Sequence, residues 1–389
     1  MPPLPEPSAE AQQHSEKTSA LIRQEIEAAA GWIPFSRYME LALYAPGLGY
    51  YSAGMHKFGA AGDFVTAPEI SALFGRCLAR QARQIIEPSG GDMLEIGAGS
   101  GRLAFDLLTE LERLGPLPRR YFILELSADL RQRQQELLAP FAARVEWLDA
   151  LPASFSGLVI GNEVLDAMPV HLVAWREDGI YERGVAWENG AFQWSERKLA
   201  AGELFDVASG LAPTLTLPRV AGEGKNYVSE ISLAARGFIA TLAGILDKGM
   251  ILMLDYGFGQ SEYYHPQRST GTLMCHYRHH AHDDPFYFPG LQDITAHVDF
   301  SAIAATGIDH GLKLLGYTSQ AHFLLNCGIT DLLAQTPAEK ASTYLPLAAQ
   351  AQKLLNPAEM GELFKAIALG KDIDTLPLGF VRGDKSHLL

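Results

Sequence analysis

Met93-Leu94-Glu95-Ile96-Gly97-Ala98-Gly99-Ser100-Gly101 sets the reading of the whole chain. A short strand, apolar but for Glu95, runs into three glycines at alternate positions. Glycine lets a backbone pass close to a ligand without Cβ clashes. Beyond the loop, Leu103, Ala104, Leu107, Leu108, Leu111 and Leu114 recur at helical spacing until Gly115-Pro116 stops them. In this strand–loop–helix order the free N–H groups of the helix face a ligand. Spacing separates two ligand classes. A dinucleotide loop has glycines at its first, third and sixth positions. Here Arg102 occupies the sixth position and the third glycine comes one residue early. That disfavours a nicotinamide oxidoreductase. With an acid two residues before the first glycine, the loop suits the carboxylate end of S-adenosylmethionine (SAM).

The same alternation continues outward. Tyr121–Leu124 reads as a second strand ending in Glu125-Leu126, with Ser127 capping the next helix. Val145–Leu148 is a third, followed by Asp149-Ala150, and Leu158–Ile160 a fourth, followed by Gly161-Asn162-Glu163. Met250–Leu254 is the fifth, running into Asp255-Tyr256-Gly257; Leu312–Thr318 and Phe364–Leu369 close the set. Strands alternating with helices predict an α/β, Rossmann-like core on a mostly parallel seven-stranded sheet. Ligands in such sheets bind beyond the carboxyl ends of the strands. The expected cofactor contacts are therefore Glu95, Gly97, Ala98, Gly99, Gly101, Glu125, Leu126, Asp149, Ala150 and Asn162, with Glu125 on the ribose and Asp149 near adenine.

The organisation expected around this core has seven parts. Residues 1–18 form a disordered N-terminus and 19–90 a helical and loop extension. Residues 91–170 carry the first half of the core, 171–220 a β-rich insertion, and 221–257 the continued core. A substrate-side loop follows at 258–300, and 301–389 complete the core with a helical segment. The string Gly62-Asp63-Phe64-Val65-Thr66-Ala67-Pro68-Glu69 carries too much specific chemistry for a linker, so Asp63 and Thr66 join the expected cofactor contacts and Glu69 the same wall.

Composition bounds the partners. A net charge of −14 makes a nucleic-acid surface unlikely and leaves a cationic or protein acceptor open. No apolar run reaches the ~18 residues of a membrane span. The three cysteines, Cys77, Cys275 and Cys327, lie far apart and fit a reducing compartment. Together with first residues that lack an apolar leader segment, this predicts a cytoplasmic protein. His276, His279, His280 and His282 with Asp283 and Asp284 match no standard zinc spacing, so no metal is expected.

Catalysis is expected after the fourth strand, at Asn162-Glu163-x-x-Asp166-x-x-Pro169. DNA amino-methylating enzymes place Asn/Asp-Pro-Pro-aromatic here, and this chain does not. Two carboxylates suit a cation instead. Glu163 and Asp166 are the candidates to hold it, with Tyr256 and His297 orienting the acceptor.

Several strings together resemble the MidA-like family of class I SAM-dependent methyltransferases, which includes the mitochondrial complex I assembly methyltransferase. They are Gly62–Ser71, Leu94–Gly101, Asn162–Val170, Asp255-Tyr256-Gly257, Gly271-Thr272-Leu273 and Gln292–Phe300. The resemblance runs from about Gly49 to Gly370. It implies an N-terminal portion covering the cofactor and methylation of an arginine on a protein partner, for the mitochondrial members a complex I core subunit. The alternatives are a non-catalytic SAM-binding assembly chaperone and a small-molecule methyltransferase.

Overall fold

The computed structural model describes residues 4–53, 65–89, 91–115, 117–211 and 227–389. Its centre is a sheet of seven core strands: β1 (Asp92–Ile96), β2 (Arg120–Leu124), β3 (Val145–Leu148), β4 (Phe155–Asn162), β5 (Leu246–Phe258), β6 (Lys313–Ser319) and β7 (Phe364–Lys371). They lie in the order β6-β7-β5-β4-β1-β2-β3. The first five are mutually parallel, and β7 runs antiparallel between β5 and β6. Strand order reverses between β1 and β4, so the crevice for a ligand opens there. A short strand, Val298–Asp299, adds alongside the end of β5.

Helices cover both faces, which is why β1 is buried at every position. Successive side chains alternate between faces. Met93 joins Phe74, Leu78, Leu107 and Leu111 of α4 (Ala72–Ser89) and α5 (Arg102–Leu114) on one side. Leu94 joins Ile239, Leu242, Phe300 and Ile303 on the other. Burying each large aliphatic side chain contributes roughly 1.5–3 kcal/mol. The apolar face of α5 is the Leu103-to-Leu111 spacing read from sequence, and Gly115 at φ 115° ends it.

A five-stranded antiparallel sheet stands beside the core. The segment after β4 supplies His171–Arg176, Gly179–Glu188 and Ala191–Lys198, and Tyr227–Ile231 joins them. The fifth strand, Ile33–Pro34, comes from the N-terminal extension and pairs with Gly184 and Val185. Extension and insertion thus share one core, in which Phe35, Tyr38, Val185, Phe192 and Ile294 pack. A smaller sheet holds Met274–Tyr277, His280–His282 and Asp293–Thr295. Its hairpin turns through Arg278 and His279 at positive φ. It leaves His279 and His280 exposed and His282 buried, and among the described residues no histidine or acid cluster has metal-site geometry.

The expectation of a structureless residues 1–18 is corrected. Helix α1 (Ala9–Ala28) starts with Ser8 accepting from the Ala11 N–H. Its small polar residues Ser15 and Thr18 are buried, and Thr18 donates its hydroxyl to the Leu48 carbonyl at 3.1 Å. Polarity here marks a close helix–loop contact, which a reading by hydropathy misses.

Candidate active site

A cavity of about 680 Å³ opens at the carboxyl ends of β1, β2 and β4. Its floor is the glycine loop, with Gly97 at φ 63° and Gly99 at φ 56°, where an L side chain would be strained. Gln134 of α6 (Ala128–Leu137) fixes this floor. Its amide donates to the Gly99 carbonyl at 2.8 Å and to Glu125 at 3.0 Å, while Trp147 donates to its oxygen at 2.9 Å. On the other side α3 (Ala67–Ile70) brings Thr66, Pro68 and Glu69 to the wall, and the Ser100 hydroxyl bonds Glu69. The N-terminal α2 (Phe35–Tyr44) contributes Ser36, Arg37, Glu40 and Tyr44.

Buried carboxyl groups dominate the electrostatics. Glu95 is 2% exposed and accepts from the Tyr121 hydroxyl at 2.7 Å; burial pushes its pKa up to about 7, against that hydrogen bond. Glu163 is pushed up to about 8 by burial and then by Asp166, although Asn162 donates to it at 3.0 Å and the Ala67 N–H also reaches it. Burial likewise raises Asp166 to about 6, with the Tyr256 hydroxyl opposing. Asp255 is raised well above the usual carboxylate range, by burial and by its neighbours Asp166 and Glu163. Charges so enclosed are costly unless paired. Among the described lining residues the only arginine is Arg37, which is engaged by Glu25 at 2.8 Å and Glu40 at 2.9 Å.

Of the residues singled out in sequence, Thr66, Glu95, Gly97, Ala98, Gly99, Glu125, Leu126, Asn162 and Glu163 line the cavity. Asp63 lies outside the described residues. Gly101 sits one step behind, at φ 82° against Gln134, where it caps α5. Asp149 is turned outward: its side chain is 92% exposed and paired with Arg131 at 2.8 Å, and neither it nor Ala150 reaches the lining. Asp166 is buried and absent from the lining; it lies in the turn over residues 163–168, in which Glu163 adopts φ 54°. Tyr256 and His297 also lie behind, packed edge to face at 5.0 Å. His297 stacks on Phe258, and burial, then Arg268, lowers its pKa to about 4, so the ring is neutral. Sequence reasoning missed Gln134, Tyr44 and Tyr51, which carry no motif spacing.

The residues present fit SAM. Asn162 Oδ1 is buried on the lining without a hydrogen-bond partner among the described residues. Beside it stand the Glu95 carboxyl, the glycine loop and Glu125 at the end of β2. This strand order, with a glycine loop after β1 and an acid after β2, defines a class I SAM-binding transferase fold. Residues 73–318 match the family described as "Putative S-adenosyl-L-methionine-dependent methyltransferase". A Burkholderia thailandensis protein described as a "likely methyl transferase", with S-adenosyl-homocysteine (SAH) bound, is 52% identical over 100% of both chains, with a TM-score of 0.94. The chain belongs to this MidA-like family of SAM-dependent methyltransferases.

Two curated relatives extend the comparison. The chain is 29% identical to the mitochondrial protein arginine methyltransferase NDUFAF7 homolog of Drosophila melanogaster, over 94% of this chain and 87% of that one. It is also 29% identical to NDUFAF7 of Danio rerio, over 87% and 83%. These relatives are named mitochondrial, which corrects the expectation of a cytoplasmic protein. That expectation rested on a polar first segment and sparse cysteines, and neither distinguishes one reducing compartment from another. No described helix is long and apolar enough to cross a membrane.

Proposed function

We propose that this methyltransferase modifies an arginine side chain of a protein, and that the acceptor is a respiratory complex I core subunit. The observation that carries the reading is the half-buried carboxyl group of Glu163, on the same cavity as the glycine loop and with no salt bridge among the described residues. A guanidinium is a planar cation that remains protonated at all ordinary pH values. The names of the curated relatives support arginine, and the MidA-like resemblance supports complex I.

In this reading Gly97, Ala98 and Gly99 meet the carboxylate end of SAM, Glu95 and Asn162 its ammonium group, Glu125 the ribose and Leu126 the adenine. When bound, SAM supplies an electrophilic methyl group on a positive sulfur. The chain's own contribution is alignment and charge. Glu163 accepts N–H groups of the guanidinium and draws its charge away from the attacking nitrogen. A guanidinium nitrogen that accepted the methyl group would have to lose one N–H proton. Glu163, raised to about 8, takes it. Asp255 and Asp166 hold the turn that presents Glu163. Asp255 Oδ2 accepts from the N–H groups of Val164, Leu165 and Asp166 at 3.1, 2.9 and 3.3 Å.

The test is labelled SAM added with purified protein to lysate of a strain lacking the gene. Methylarginine recovered from a labelled protein supports the reading. Label confined to small molecules overturns it.

A further inference from the structure

Two phenols on the cavity wall have their protons already committed. Tyr44, at the end of α2, donates its hydroxyl to the Ala167 carbonyl at 2.9 Å. Tyr51 donates to Asp293 Oδ1 at 2.9 Å. The rings stack with centroids 5.5 Å apart and planes 23° from parallel, and both line the cavity that Glu163 lines. A phenol oxygen carries one proton and two lone pairs. With each proton turned to a fixed acceptor, only lone pairs remain for a ligand. Burial, reinforced by neighbouring carboxyl groups, keeps both phenols protonated, so neither serves as a base.

We propose that Tyr44 and Tyr51 form, with Glu163, a wall of acceptors that selects a guanidinium, and that Asp293 is a positioning residue acting through Tyr51. The inference rests on the arginine reading given above. A guanidinium has five N–H donors in one plane and no acceptor. It satisfies acceptors on two sides at once. Citrulline has the same shape but is neutral and turns a carbonyl oxygen toward the same lone pairs. Asp293, 3% exposed on the strand Asp293–Thr295, fixes the direction of the Tyr51 proton. An amide in its place offers N–H donors as well as an acceptor oxygen, so it no longer dictates the direction of the Tyr51 proton.

The experiment is calorimetry on the full-length protein saturated with SAH, using Nα-acetyl-arginine methylamide and its citrulline counterpart as probes. Wild type is expected to prefer the arginine probe. Tyr44→Phe and Tyr51→Phe, which keep the rings, should each weaken it by about tenfold or more, with SAH affinity within about twofold. Asp293→Asn should weaken it in the same way, and Asp293→Asn/Tyr51→Phe should be no weaker than Tyr51→Phe alone. If wild type binds both probes alike, the arginine reading fails and this inference with it. If the preference exists and survives both phenylalanine variants, the inference alone is overturned. Additive losses in the double variant overturn the positioning role of Asp293.

Discussion

Glu163 occupies a left-handed backbone conformation, φ 54°, that few side chains other than Asn and Asp adopt readily. Strain of this kind persists where surrounding contacts enforce it; here they are the Asn162 and Ala67 donors. Replacing Glu163 by Gln keeps the shape and removes the charge. Turnover with acceptor should fall about ten- to a hundredfold, from loss of a charge-assisted bond of roughly 1.5–3 kcal/mol, while SAH affinity stays near wild type. The pH profile sharpens this. A carboxyl group raised to about 8 is protonated below that pH and idle as a base, so kcat/KM for the acceptor should climb toward pH 8 and level off. Glu163→Gln should lack that climb; single-turnover mass spectrometry across pH reads it. At the loop, Gly99→Val places a β-branched residue at φ 56° and fills the cavity floor, so calorimetry should detect no SAM binding.

Among elements, the turn after β4 depends on the end of β5. Removing the acceptor in Asp255→Ala strands up to three N–H groups, at a cost of about 1–3 kcal/mol for each that stays unpaired. The melting temperature should drop by several degrees and turnover with it, whereas Asp255→Asn, which keeps one acceptor oxygen, should fall between; scanning calorimetry orders the three. Elements also explain what sequence could and could not reveal. The β1–loop–α5 unit was legible because all its determinants lie within about twenty consecutive residues. The place of Glu163 on the cavity was legible because it directly follows β4, whose carboxyl end opens there. Asp166 was expected on the cavity, but the turn after β4 buries its carboxyl group off the lining while keeping it close enough to raise Glu163. Asp149 was misjudged because Arg131, on a neighbouring helix, draws its carboxylate outward. Tyr51 and Asp293, 242 residues apart, leave no local pattern to read.

For the whole molecule, the enclosed acids link stability to pH. Burial raises Glu95 to about 7, Glu163 to about 8 and Asp166 to about 6, above the usual carboxylate range. The native state therefore binds more protons than the unfolded chain between roughly pH 4 and 8, so stability falls as pH rises through that window. Cations from SAM take the place of those protons. Added SAM should raise the melting temperature more at pH 8 than at pH 6; equal increments at both would contradict the linkage.

The long-range contacts of the N-terminal extension bear on how the chain is made. Tyr38 hydrogen-bonds the Pro285 carbonyl across 247 residues of sequence, and Ile33 pairs with Val185. At ribosomal speeds of about 5–20 residues per second, the first helices wait roughly 12–50 s for those partners to emerge. The pairing of β1 with β2 and the packing of α5 on α4 are closer in sequence and can begin in the meantime, since nearby contacts close fastest. The nascent protein should thus be able to gain a methyl donor before it has anywhere to put an acceptor.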